Sequence, residues 1–135
     1  MKILGIEHVG IAINDLNKGE IFWNLILGIK KTHSEEVENQ GVITDIYDTG
    51  NGKVELLLSK YPDSPIAKFI KNRGCGIHHL CLSVENIDDA IRELKKNNID
   101  TIGNTYTYGA EGLKVIFIHP SSTGGVLLEL AEKKD

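Results

Sequence analysis

The chain has 135 residues, enough for one domain with a real core, whereas either half alone would be marginal. Its 41% hydrophobic and 25% charged residues suit a globular protein in water, and no apolar run approaches membrane-spanning length. A net charge of −4 with no Lys/Arg cluster argues against nucleic acid or an anionic membrane as a partner. Cys75 and Cys81 are too few and too close for a disulfide framework, and the Met1-Lys2-Ile3-Leu4 start lacks a signal peptide's apolar stretch; both point to the cytoplasm.

Ile6 to Asn14 alternates as a strand, with Val9, Ile11 and Ile13 on one face and His8, Gly10 and Ala12 on the other. Asp15 is placed to cap a helix in which Leu16, Phe22, Trp23, Ile26 and Leu27 form an apolar stripe, ending near Gly28. Three strands are expected next: Ile29 to about Val37, Gly41 to Tyr47, and Lys53 to Ser59. The run Asp48-Thr49-Gly50-Asn51-Gly52 turns the chain between the last two. Ser64-Pro65 opens a short helix through Ile66, Phe69 and Ile70, with Ser as N-cap and Pro at the first helical position. The second half repeats the order. A strand from Gly76 to Val84 leads to Asn86 and Asp89, a capping pair for a helix carrying Ile87, Ala90, Ile91 and Leu94. Strands are expected around Thr101, at Leu113 to His119 and at Gly125 to Ala131, with a turn at 121–124. Each half therefore reads β-α-β-β-β, an α+β pattern, with the Ser64 helix linking modules of about 1–72 and 73–135.

The repeat is also chemical. Ile6-Glu7-His8-Val9-Gly10-Ile11-Ala12 recurs as Ile77-His78-His79-Leu80-Cys81-Leu82-Ser83, so His8 and His79 stand 71 residues apart. Val54-Glu55-Leu56-Leu57 recurs as Leu128-Glu129-Leu130-Ala131, with Glu55 and Glu129 74 apart. Both histidines share a face with small residues (Gly10 and Ala12, Cys81 and Ser83), which leaves room for a ligand. Both glutamates interrupt apolar strands, where a carboxylate is costly to bury unless paired or bound to a metal. Singly, a strand His or Glu is usually structural or solvated. Matched in both halves, His8, Glu55, His79 and Glu129 point to a divalent-metal site open to water or substrate.

The remaining candidates read as follows. His78 points away from the face of His79 and has a structural reading. His33 lies in a polar, solvated stretch. His119, before Pro120, reads chiefly as a turn residue, with a substrate contact as the alternative. Cys81 is a small lining residue with no cationic neighbour to activate it. The Glu35-Glu36-Val37-Glu38 run is a solvated strand end, with a catalytic base as its minority reading. The glycine clusters at 50–52 and 74–76 lack the strand-to-helix context of a phosphate loop.

Taken together, these residues resemble the vicinal oxygen chelate superfamily, whose members share a paired βαβββ fold with a concave mixed sheet. The resemblance covers essentially the whole chain, which it implies is one domain. Within the superfamily the chain is most similar to the methylmalonyl-CoA epimerase family, through His8-Val9-Gly10-Ile11-Ala12, Asp63-Ser64-Pro65-Ile66-Ala67-Lys68-Phe69, Gly76-Ile77-His78-His79 and the stretch His119-Pro120 to Leu130. The resemblance implies a metal held by His8, Glu55, His79 and Glu129, the ion being Co, Zn, Ni or Mn. It implies an acyl-CoA substrate whose α-proton is removed and returned on the opposite face, and a homodimer. It also implies Glu129 as one proton carrier and, as the second, the residue four after Gln40 of Gln40-Gly41-Val42. That position is Thr44, which is no base at neutral pH. Asp45, a Glu from 35–38 or a water are the alternatives, and strand alternation counts against Asp45. The rival resemblance is to glyoxalase I, which uses the same ligand types but carries an Arg where this chain has Ala12. A non-catalytic binder of this fold would generally lack the ligands.

Overall fold

The computed structural model describes residues 1–134. They form an α+β chain of eight strands and three α-helices: β1 (Ile3–Ile13), α1 (Leu16–Gly19), β2 (Lys30–Val37), β3 (Val42–Asp48), β4 (Lys53–Ser59), α2 (Pro65–Arg73), β5 (Gly76–Val84), α3 (Ile87–Lys96), β6 (Thr101–Tyr108), β7 (Lys114–Ile118) and β8 (Leu128–Glu132). The chain divides into two compact units. One is His8–His78; the other joins Met1–Glu7 to the chain from His79 onward.

In the unit His8–His78 the strands lie in the order β2-β3-β4-β1. β1 runs parallel to β4, and β2-β3 and β3-β4 are antiparallel hairpins. Gly41, at φ 66°, closes the β2-β3 turn in the left-handed region that glycine adopts without penalty. Ser64 caps α2 by accepting a hydrogen bond from the Ala67 amide at 3.1 Å, as the Ser-Pro signal predicts.

The first helix departs from the sequence reading. Asp15 does cap it, accepting from the amides of Asn17 and Lys18. But α1 lasts only four residues, and Glu20–Ile26 continues as a π-helix. The Leu27 amide reaches back five residues to the Phe22 carbonyl at 3.0 Å, and the Asn24 side chain donates to the Ile29 carbonyl at 2.9 Å. A wider turn rotates successive side chains by a smaller angle, so a stripe laid out at 3.6 residues per turn drifts off the sheet. Phe22, Ile26 and Leu27 of that stripe are exposed, together with Ile21 and Leu25. Contact with the sheet is made instead at Gly19, where a Cβ would collide with Leu56. Beneath this helix lies a polar cluster. Asp45 is buried, accepts from the Ser34 hydroxyl at 2.5 Å and faces the Lys31 ammonium at 3.8 Å, which in turn faces Glu20 at 3.5 Å.

In the other unit the order is β5-β8-β7-β6, with β5 parallel to β8 and the remaining pairs antiparallel. Here the helix covers the sheet as expected. Asn86 caps α3 through the Asp89 amide at 2.9 Å. Ile87, Ala90, Ile91 and Leu94 then pack with Val84, Ile116, Ile118 and Leu130 in an apolar core. β8 begins at Leu128 rather than Gly125, because Thr123 ties the preceding turn, its hydroxyl donating to the Val126 carbonyl and accepting from the Val126 amide.

Candidate functional site

Each unit brings together one of the histidines and one of the glutamates singled out in the sequence. On β1 and β4, Gly10 is the register partner of Glu55, and His8 lies two residues earlier on the same face. That offset brings His8 Nδ1 to 3.0 Å from Glu55 Oε2. On β5 and β8, Cys81 is the register partner of Glu129, and His79 again lies two residues earlier. His79 Nε2 is 3.2 Å from Glu129 Oε1. All four residues are at most 5% exposed.

Alternation along each strand produces this arrangement. The small residues share the histidine's face, and on β1 that face is the more enclosed: His8, Gly10 and Ala12 are buried while Val9, Ile11 and Ile13 are half-buried. Imidazole nitrogen and carboxylate oxygen are donors that borderline divalent ions accept, and burial at this depth calls for a compensating charge on each carboxylate. The donor set therefore fits a metal.

The other candidates fall into place by face. His78 turns away from His79 and sets its ring edge-on to Phe69 at 4.9 Å, a packing role. His79 is flanked edge-on by Phe117 at 5.6 Å, which fixes its ring plane. His119 caps the turn before β8, its Nδ1 accepting from the Ser121 amide at 3.0 Å. Cys81 is buried and packs with Val115 and Ala131. Thr44 is buried on the same face as Glu55, one row along the sheet. Asp45 points the opposite way, into the cluster under the helix.

Sequence reading missed a feature of β2. His33 is not simply solvated: its Nε2 lies 3.3 Å from Glu35 Oε1, and its Nδ1 lies 3.2 Å from the Thr32 hydroxyl. The signal was the His33-x-Glu35 spacing, which puts both side chains on one face. Tyr47 stands on the helix side of β3, fully buried, and its hydroxyl has no hydrogen-bond partner among the described residues. Burial first, then the negative charges of Asp45 and Glu20, push its hydroxyl up to about 12.

Residues 7–117 match the model of the glyoxalase/bleomycin resistance protein/dioxygenase superfamily. Over 128 residues the chain is 41% identical to the mitochondrial methylmalonyl-CoA epimerase of Homo sapiens, covering 94% of this chain and 73% of that protein. The chain belongs to the methylmalonyl-CoA epimerase family. Among solved structures in that family, the Mycobacterium tuberculosis epimerase superposes with a TM-score of 0.94 at 31% identity, covering 98% of this chain and 90% of that one. A methylmalonyl-CoA epimerase in complex with methylmalonyl-CoA and NH4+ superposes with a TM-score of 0.92 at 27% identity, covering 98% and 96%. The paired βαβββ modules expected from the sequence are thus those of the epimerase structures.

Proposed function

We propose that the chain is a metal-dependent epimerase interconverting the (R) and (S) forms of methylmalonyl-CoA. The observation that carries this reading is the buried His–Glu contact, repeated at the same register step in both units of an epimerase-family chain. His8, Glu55, His79 and Glu129 would hold the ion, with Co, Zn, Ni and Mn as candidates. Such an ion, when bound, supplies the positive charge that stabilises a carbonyl oxygen as it becomes anionic.

The substrate carbon to be inverted lies between a thioester and a carboxylate, so its hydrogen is acidic for a C–H bond. Glu129 takes or returns that proton on one face. Phe117, against His79, restricts the adjoining imidazole, and each histidine shares its strand face with small residues, Gly10 and Ala12 for His8 and Cys81 and Ser83 for His79. Inversion needs a second carrier on the other face. Thr44 occupies the family position for it, but its hydroxyl cannot serve as a base at neutral pH and is left to line the site.

We place the protein in the cytoplasm as a homodimer. Two cysteines, too few and too close for a disulfide framework, suit a reducing compartment. The apolar side chains exposed on the π-helix suit a second copy of the chain. In sedimentation a Leu25→Glu, Ile26→Glu variant should run as a monomer; a native protein that is already monomeric overturns the dimer.

The decisive test of the activity is turnover in D2O. Deuterium should enter the α-position of methylmalonyl-CoA as the epimers interconvert. Absence of exchange by metal-loaded protein, with turnover of the methylglyoxal–glutathione hemithioacetal in a parallel assay, would move the assignment to glyoxalase I.

A further inference from the structure

Epimerisation requires two proton carriers that are not equivalent, and Thr44 leaves the second unassigned. The β2-β3 register supplies a candidate directly. Glu35 is the partner of Thr44, and His33 is the partner of Ile46, which is itself the partner of Glu55. Two rows therefore cross one face of the sheet. The first runs Gly10, Glu55, Ile46, His33; the second runs Ala12, Leu57, Thr44, Glu35. Glu35 thus stands on the face that carries His8 and Glu55, beside the small Thr44. By strand spacing and rise its Cα lies ~12 Å from that of Glu55. That separation leaves room for a substrate between Glu35 and the ligand residue Glu55.

The other acids that the sequence offered for this role are engaged elsewhere. Glu36 and Glu38 both accept from the Lys60 ammonium, at 2.8 and 2.5 Å. Asp45 lies on the opposite face with Ser34 and Lys31. Glu35 is held by His33 at 3.3 Å, and its side chain is 28% exposed. That exposure lets it exchange a proton with water between turnovers.

We propose that Glu35 is the second proton carrier and that His33 is the residue that positions it; this rests on the epimerase reading above. For one epimer, the Glu35 carboxylate takes the α-proton and the C–H electron pair passes into the enolate. The protonated Glu129 carboxyl then delivers its proton to the opposite face and forms the new C–H bond. Glu35 afterwards releases its proton to water, and Glu129 takes one up. The other epimer runs the same steps in reverse.

The test uses each pure epimer in D2O with metal-loaded protein. Glu35→Gln should lower interconversion by about 10²–10⁴-fold, while the epimer deprotonated by Glu129 still exchanges its α-hydrogen without inverting. Glu35→Asp should restore part of the interconversion. His33→Gln should lower kcat with KM little changed. Interconversion by Glu35→Gln within about threefold of wild type overturns the proposal. So does equal loss of exchange from both epimers in a Glu35→Gln protein of unchanged melting temperature and metal content. Wild-type protein that fails to interconvert the epimers refutes the epimerase reading instead, and the two failures are distinguishable.

Discussion

The two halves of the chain build the same His–Glu contact and then part company on their outer strands. In both, the histidine lies two residues before the register partner of its glutamate, on a parallel strand pair. The rows leading away from that contact differ. Beyond Glu55 stand Ile46 and His33, and in the next row Thr44 and Glu35. Beyond Glu129 stand Phe117 and Ile102, and in the next row Val115 and Thr107. In these outer-strand rows, among the described residues, the first half carries His33 and Glu35 where the second carries Ile102 and Thr107. Duplication repeats what a symmetric ligand set needs, whereas inversion of a carbon needs groups that differ on its two faces. The outer strands are where the halves have room to differ.

The largest effects should test the shared part. His8→Ala and His79→Ala should each empty the protein of near-stoichiometric divalent metal and lower epimerisation at least about 10³-fold, near the upper end for removal of one electrostatic stabiliser. Metal analysis of the two purified variants checks this. If one variant keeps its metal and the other does not, the contacts are unequal and the comparison breaks at its root.

The next effects test the cores. α3 buries Ile91 in an all-apolar cluster, so Ile91→Ala should destabilise the protein by about 2–5 kcal/mol in denaturant melts. The first half instead buries a polar cluster and the unpartnered Tyr47 hydroxyl beneath a distorted helix. Tyr47→Phe removes a group whose burial costs about 1–3 kcal/mol when unbonded, so it should raise the melting temperature. A lowered melting temperature would mean that the hydroxyl is satisfied by water, and that the two cores differ less than the residues suggest.

Much of this was legible in the residues. Alternation located β1 and β5 and put His8 and His79 with their small neighbours. Asp15, Ser64 and Asn86 each cap the helix that follows, because a short oxygen-bearing side chain before an apolar stripe has few other uses. The faces of His78 and Asp45 followed from counting by twos. What escaped was set by tertiary geometry. The stripe after Asp15 is apolar nearly all round, since Ile21 and Leu25 add to it, so sequence could not say which side would meet the sheet or that the turn would widen. The Glu35–Thr44 pairing depends on a four-residue turn at 38–41, from which the register runs unbroken as far as His33. A one-residue slip would have moved Glu35 to the other face.

The smallest effect concerns the strand end that carries Glu35. Lys60 and Glu36 hydrogen-bond the Glu38 carboxyl and hold it below its ordinary value of 4.5, while hydrogen bonds to Glu36 and then to Glu38 raise the Lys60 ammonium above the usual lysine range. For Glu38 the folded value lies below the unfolded one, so its contribution to stability is present above about pH 4.5 and is lost as pH falls through the folded value. For Lys60 the sign is opposite: its contribution is complete below the unfolded value of 10.5 and fades only as pH rises through the folded one. Between these limits both act together, but at the surface, where water and salt screen them. Lys60→Met should therefore be slightly less stable than wild type at pH 7 in low salt, and the gap should close both below about pH 4.5 and in 1 M salt. If the cluster also steadies the end of β2, the same variant should show a small fall in kcat. A gap that persists at low pH and high salt would instead mean that the Lys60 stem packs against Tyr61, whose ring centre lies 5.5 Å from its ammonium, and that packing rather than charge anchors this end of the sheet.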